Sequence, residues 1–256
     1  MLSAESASAI ERLRNYTPPP STYTSIPLSR QAAVLILLYG DRQGDLRVVL
    51  TIRSKELRTY AGQAALPGGH AEPNESAFQT ARREAEEEIG VPRTSLPPPF
   101  TIEHLCELPA SLARAEVVVR PCVAWLHSSS SSSGEEDAAS ASASASDFLR
   151  LDRREVAAVF TAPFRNFLLL ECPGGEDRQW YQGWWTRWHE TDWRMHRFSV
   201  PINSQDSHTV FGLTARILVD AARVAYALEP QFEHNTPLGD EELIARLKRN
   251  GGLAQL

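Results

Sequence analysis

LPGGHAEPNESAFQTARREAEEEIGV, residues 66–91, is the stretch from which the rest of the sequence can be read. A Pro67-Gly68-Gly69 turn leads into a helical pattern that Gly90 stops. Gly68 and Gly69 permit a close backbone approach or a positive φ ahead of the helix, and Gly90 suits a C-terminal cap. Phe78, Ala81, Ala85 and Ile89 recur at helical intervals and form a narrow apolar stripe to bury. The small residues at 81 and 85 let the helix backbone lie close to its neighbour. Glu84, Glu87 and Glu88 are three and four residues apart and converge on one side, whereas Glu86 projects away. Carboxylates so placed repel one another. Divalent cations remove that cost, and oxygen-rich acidic sites are how proteins hold Mg2+ or Mn2+. On composition alone, a charged surface helix with a glycine cap competes with this reading.

The spacing decides between them. Gly69, five residues, Glu75, seven residues, Arg83-Glu84-Ala85, one residue, Glu87-Glu88, one residue, Gly90-Val91 resembles the Nudix hydrolase signature at every fixed position. The resemblance implies an α/β fold, a Nudix-like α/β/α sandwich with a mixed sheet. It also implies hydrolysis of a nucleoside diphosphate linked to another group. Carried over, Glu84, Glu87 and Glu88 bind the metal ions, and Arg83 joins them as a catalytic residue. Arg83 and Glu75 orient the helix and its carboxylates through charge-assisted bonds.

Upstream, LTIRSKELRTYAGQAALPGG, residues 50–69, reads as a strand end followed by an exposed basic loop. It also resembles the added motif of the coenzyme A diphosphatase branch of Nudix enzymes. Leu50-Thr51, Arg53-Ser54, Arg58, Gly62 and Pro67-Gly68-Gly69 stand at that spacing, with Leu66 where the family usually has Phe. This resemblance implies coenzyme A, or its acyl or oxidised derivatives, as substrate and 3',5'-ADP and 4'-phosphopantetheine as products. Arg53, Arg58, Gly68 and Gly69 are then the substrate-binding residues; guanidinium groups suit the diphosphate and 3'-phosphate of such a ligand. Two alternatives stand beside it: a Nudix pyrophosphatase for another nucleoside diphosphate derivative, and a non-catalytic nucleotide-binding module.

The 256 residues are 42% hydrophobic, as expected of one sizeable core with decorations or of two small domains. Net charge is −6, with no basic tail, so no nucleic-acid polymer is an expected partner. Residues 1–65 nevertheless carry eight Lys and Arg against five Asp and Glu, a basic edge just ahead of the acidic helix. Cys106, Cys122 and Cys172 lack metal-ligand spacing, and their odd number argues against a disulfide framework. No apolar run is long enough for a secretory signal or a membrane span, so no membrane partner is expected. Ala254-Gln255-Leu256 resembles a variant of the C-terminal peroxisomal address, read by an import receptor. Peroxisome or cytoplasm is the expected location. Oligomeric state is not specified.

Taken in order, residues 1–29 form an N-terminal extension with a short helix over 4–16, residues 30–228 the Nudix domain, and residues 229–256 a C-terminal extension with a last short helix. Ala32–Tyr39 and Leu46–Arg53 predict a hairpin, Thr101–Pro109 and Val117–Leu126 two further strands, with Pro121 marking an irregularity. The serine- and alanine-rich stretch 128–146 lacks core-forming side chains and is expected to be a disordered insertion. Arg154–Phe160 predicts a strand, with Glu155 either turned to the metal site or salt-bridged on the surface. Phe167–Leu170 and Gln179–Trp188 are expected to pair around Pro173-Gly174-Gly175. Trp193–Pro201 predicts another strand, with His196 structural, and Thr209–Tyr226 a helix. Trp180, Trp184, Trp185 and Trp188 serve a core or an interface; which one, if any, stacks on adenine is left open.

Overall fold

Gln31–Gly40 (β1) is apolar along most of its length because both of its faces are covered, the pattern of a central strand. The computed structural model describes residues 1–96, 98–128, 150–172, 179–203 and 205–254. The expected insertion beyond Ser128, the Pro173-Gly174-Gly175 turn and Gln255-Leu256 lie outside them. β1 runs parallel to Val118–Ser128 (β7), in register from Gln31 opposite Val118 to Leu38 opposite Trp125. Leu46–Arg53 (β2) returns antiparallel to β1 through a turn in which the Asp41 carboxylate accepts the Gln43 and Asp45 N–H groups. β1 and β2 pair only at their turn end; beyond it Ala64–Ala65 (β3) takes the edge of β2, and Gly68–His70 (β4) the edge of β1. Between the splayed strands lies the Pro67-Gly68-Gly69 turn.

Helices on both faces complete the sandwich. Ala4–Arg14 (α1), capped by Ser3, buries Ala9, Ile10 and Leu13 on one side of the sheet. Ala77–Ile89 (α2) lies on the other side, against Ala33, Leu35 and Leu37 of β1. Phe100–Glu107 (β5) and Ser111–Leu112 (β6) pair with β7. The irregularity expected at Pro121 falls instead on β5, between His104 and Cys106. Pro121 is tolerated because its carbonyl, accepting from Leu108 N–H, faces the point just past the end of the β5 ladder. Val156–Pro163 (β8) pairs antiparallel with the outer edge of β2.

The chain then departs from expectation. Phe164–Leu168 is a 3-10 turn burying Phe164 and Phe167, so it supplies no hairpin strand. Tyr181–Trp188 (β9) pairs instead with Thr191–Pro201 (β10), across His189 and Glu190, both at positive φ. That conformation suits a two-residue turn between twisted strands, although neither residue is the usual Asn or Gly. Ser207–Phe211 (β11) completes a second, three-stranded sheet. The helix expected from Thr209 therefore begins only at Gly212; Thr209 and Val210 are spent pairing with Ser199 and Phe198. Gly212–Tyr226 (α3) packs beside α1 and ends at Ala227, which is left-handed, so Leu228 lies beyond the helix and is exposed.

Both terminal segments enter this core. Glu241–Arg249 (α4) buries Leu243 and Ile244, and the Arg216–Asp240 ion pair at 2.7 Å ties its start to α3. His196 is fully buried in a chain of hydrogen bonds: Tyr181 hydroxyl to His196, His196 to His234, His234 to Asp220. Cys106 and Cys122 are buried free thiols. Among the described residues no helix is long and apolar enough to cross a membrane.

Candidate active site

α2 is fixed at both ends by its own sequence. Ser76 Oγ accepts the Gln79 N–H and the Gln79 side chain accepts the Ser76 N–H, a reciprocal capping box. At the other end Gly90 takes the left-handed conformation at φ 76°. Ala77, Ala81, Ala85 and Ile89 form the buried stripe; Phe78 stands at its margin, half-buried and stacked on His104 at 3.8 Å. These alanines bring the helix close to β1, and the turn ahead of β4 must fit into the gap.

Glycine is required there. A Cβ on Gly69 would stand 2.5 Å from the Glu84 carboxylate, and one on Gly68 would run into the Ala33 carbonyl. Gly68 N–H donates to Glu88 Oε2 at 3.2 Å. In this arrangement the two glycines, expected as substrate contacts, are engaged by the acidic residues of the helix.

Arg83 is buried and makes five hydrogen bonds. Its guanidinium donates to both Glu75 oxygens (2.9 and 3.1 Å), to the His70 carbonyl (2.8 Å), to Glu84 (2.9 Å) and to Glu87 (3.1 Å). The hydrogen bond from Arg83, above all, holds the Glu75 carboxyl below the ordinary carboxylate range. Arg83 is thus a clamp joining the turn, the start of α2 and the acidic side chains. Glu86 points elsewhere, toward Arg93.

The three acidic residues occupy unlike surroundings. Glu84 and Glu88 are largely covered, whereas the Glu87 side chain is 57% exposed on the outer side of Arg83. Among the described residues no three His, Cys, Asp or Glu side chains stand together as a ready-made metal cluster. Burial raises the Glu84 carboxyl, against the lowering effect of Arg83, and Glu87 and Glu155 raise it further. Glu88 is pushed up to about 8, chiefly by burial, against the Gly68 N–H and Arg53, with Glu84 and Glu155 adding to the rise. Hydrogen bonding from Arg83 and Gly68 leaves this negative charge only partly compensated. An oxygen-only donor set of this kind fits hard divalent cations such as Mg2+ and Mn2+.

The loop before β8 completes the edge. Arg150 and Asp152 N–H groups donate to the Ile89 and Glu88 carbonyls at the end of α2, and Ser54 N–H donates to the Glu155 carbonyl at 2.7 Å. Glu155 is exposed and its charge reaches Glu84 and Glu88. Arg53 lies within electrostatic reach of Glu88, with its Nε buried and without a partner among the described residues. Arg58 is exposed in the loop that Arg53 closes by exchanging backbone hydrogen bonds with Gly62 and Gln63. The structure therefore gathers Arg53, Gly68, Gly69, Glu75, Arg83, Glu84 and Glu88 at one edge of the sandwich. Glu87 stands at its rim and Arg58 on the solvent side of the basic loop. The sequence left Glu155 open between the metal site and the surface, and the approach of residues 150–154 to α2 had no local signal.

Comparison with known proteins agrees with this geometry. A model of the NUDIX domain matches residues 29–116. Over 209 residues the chain is 33% identical to "Nudix hydrolase 15, mitochondrial" of Arabidopsis thaliana, across 81% of this chain and 63% of that protein. It is 34% identical to "Nudix hydrolase 22, chloroplastic" of the same plant, across 81% of this chain and 59% of that one. Against "Peroxisomal coenzyme A diphosphatase 1, peroxisomal" of Saccharomyces cerevisiae it is 30% identical over 276 residues, covering 92% of this chain and 81% of that protein. The chain belongs to the Nudix family. It spans less than two thirds of the two plant relatives' length. α2 is its Nudix helix, and the mixed sheet with helices on both faces is the Nudix-like sandwich.

The raised Glu88 group gives the Nudix helix a measurable signature. A free Glu titrates near 4.3 in an unfolded chain, whereas Glu88 titrates at about 8 in the fold. Between those values the folded chain keeps a proton that the unfolded chain has released, so stability falls as pH rises through this window. Glu88→Gln is therefore expected to melt above the unsubstituted protein at pH 8 without divalent cations, by at least about 1 kcal/mol or roughly 2–4 °C. At pH 4 the two should melt together. Thermal scans across pH 4–8 test this; a variant less stable than the parent at pH 8 would contradict it.

Proposed function

We propose that the chain hydrolyses the diphosphate of coenzyme A and of its acylated or oxidised derivatives, releasing 3',5'-ADP and 4'-phosphopantetheine or its derivative. The observation that carries this reading is the closure of the basic loop on Arg53, which holds Arg53 within electrostatic reach of Glu88 and leaves Arg58 exposed to solvent. The yeast relative named as a coenzyme A diphosphatase supports it, matching 92% of this chain.

Glu84, Glu87 and Glu88 are the residues that would hold Mg2+ or Mn2+. Bound there, such ions neutralise developing phosphate charge and lower the pKa of water at neutral pH. The chain's own contributions are positional. Arg83 fixes Glu84 and Glu87 relative to the turn, and Glu75 fixes Arg83. Gly68 and Gly69 let the turn lie against those carboxylates without a side chain between. Arg53 supplies a fixed positive charge for the shared diphosphate, and its buried Nε is a donor with no partner among the described residues. Arg58 is free to reach a separate phosphate.

These two roles separate in kinetics. If Arg58 reads the 3'-phosphate, Arg58→Ala is expected to lower kcat/KM for coenzyme A by about 10- to 150-fold while changing dephospho-coenzyme A little. Arg53→Ala is expected to lower both substrates alike. Circular dichroism checks that each variant is folded. Equal losses in the Arg58 variant would remove it from 3'-phosphate recognition. Full activity on other nucleoside diphosphate derivatives with none on coenzyme A would overturn the proposed substrate.

A further inference from the structure

Four of the tryptophans crowd β9 and the residue before it, and the fold treats them differently. Trp180 is buried among Phe167 and Phe198. Trp188 is half-buried, edge-on to Trp193. Trp185 is exposed but held: its Nε1 donates to Glu233 at 2.9 Å, and Arg194 lies over its ring at 5.4 Å. Trp184 is 39% exposed and, among the described residues, stacked only on Phe211, itself 37% exposed, at 5.8 Å and 20°.

The strand register shows what surrounds this pair. Gln182, Arg197 and Phe211 stand directly opposite one another on β9, β10 and β11, and Trp184 stands opposite Met195. Strand alternation puts all five on one face, with directly opposed side chains in reach of each other. Arg197 and Gln182 are exposed, and neither side chain has a hydrogen-bond or ion-pair partner among the described residues. The surface thus presents an aromatic plane, a free guanidinium and a free carboxamide.

Its position ties it to the active site. β11 packs beside β3, and Thr214 in the first turn of α3 donates its hydroxyl to the Ala64 carbonyl at 3.3 Å. Phe211 is three residues from that contact, hence at most about 11 Å away, and Gly68 is four residues beyond Ala64, at most about 14 Å. Gly68 in turn bonds Glu88.

We infer that the open face of Trp184, with Gln182 and Arg197 beside it, is the docking platform for the purine base at the nucleoside end of the substrate, Arg197 sharing with Arg58 the charge of the phosphate attached there. The inference rests on the proposed cleavage of a nucleotide-linked diphosphate. Base stacking on an aromatic ring tolerates any purine, the carboxamide can both donate and accept at a base edge, and the guanidinium favours an anion. The base stacks on the outer face of Trp184. Insertion between Trp184 and Phe211 would need two contact distances of about 3.5 Å, more than their 5.8 Å separation.

The test is equilibrium binding of adenosine 3',5'-bisphosphate and of adenosine to the full chain in chelator, where no turnover intrudes. Trp184→Ala should weaken the bisphosphate about 5- to 150-fold, and Trp184→Phe should recover most of the loss. Arg197→Ala should weaken the bisphosphate more than adenosine. Trp185→Ala, on the other face, should leave both affinities unchanged. Unaltered binding in Trp184→Ala and Arg197→Ala, alongside coenzyme A hydrolysis by the parent, would overturn the platform and spare the proposed function. A parent chain that binds neither probe and cleaves no nucleotide would overturn both. Concentration-dependent dimers abolished by Trp184→Ala, with nucleotide affinity unchanged, would make the patch a contact with a second copy and overturn the platform.

Discussion

Glu84→Gln is expected to lower turnover of coenzyme A at saturating Mn2+ by about 100-fold or more, with the fold intact. Glutamine keeps the volume that fits against Gly69 and an oxygen that can accept from Arg83, but it removes the charge. Losing a cation-holding carboxylate removes several kcal/mol of transition-state stabilisation, and each 1.36 kcal/mol is tenfold in rate. Glu87→Gln, at the exposed rim, should cost at least about tenfold with still less effect on folding. Turnover within about threefold of the parent in Glu84→Gln, measured on protein with an unchanged circular dichroism spectrum, would remove Glu84 from the metal site.

Arg83→Met is expected to cause the largest loss of stability of any single substitution in this region. It leaves Glu75 and Glu84, whose side chains are only 14% and 15% exposed, without the guanidinium that both share. Breaking a buried ion pair by removing one partner costs about 3–5 kcal/mol, or roughly 6–20 °C in Tm for a chain of this size. The direction of the pH dependence follows from Glu75. Its pKa is held down by Arg83, so its contribution is present above the unfolded carboxylate pKa and is lost as pH falls through the folded one. The deficit of Arg83→Met should therefore shrink in acid, where the orphaned carboxylates take up protons. Arg83→Lys should fall between, since an ammonium keeps the charge but cannot fork to four residues. A Tm unchanged at pH 7 would contradict the clamp.

Much of the architecture was readable because it is local. The apolar run of β1, the short turn to β2 and the alanine stripe of α2 each follow from contacts within a few residues. The capping box of Ser76 and Gln79 is equally local, its two members three residues apart, but was not among the expectations. Long-range assembly was not readable. Nothing near Arg53 signals that Val156 will stand opposite it, or that Asp152 will bond the end of α2. The second sheet was mispaired because Pro173-Gly174-Gly175 is a stronger turn signal than His189-Glu190. Those two residues hold a tight turn only because the flanking strands are anchored by Trp193, Phe198 and Tyr181. The helix expected from Thr209 began late for a related reason: Ser207–Phe211 is claimed by β10, and Gly212, at φ 62°, provides the break.

The site divides along the same line. Helical spacing put Glu84, Glu87 and Glu88 on one side but could not distinguish the covered pair from the rim. That difference comes from Arg83, which is drawn toward Glu75, eight residues back, and to the His70 carbonyl. Of the tryptophans, only the register of β9 separates Trp184 from Trp185, because neighbouring residues of a strand face opposite ways.

The most direct measurement is the mass of the products formed when the full chain, with Mn2+, is given coenzyme A beside NADH and nucleotide sugars. Coenzyme A is expected to yield 3',5'-ADP and 4'-phosphopantetheine in equal amounts, with formation abolished by chelator. Intact coenzyme A alongside cleavage of another nucleotide would contradict the substrate; tight coenzyme A binding with no product at any Mn2+ concentration would contradict catalysis itself.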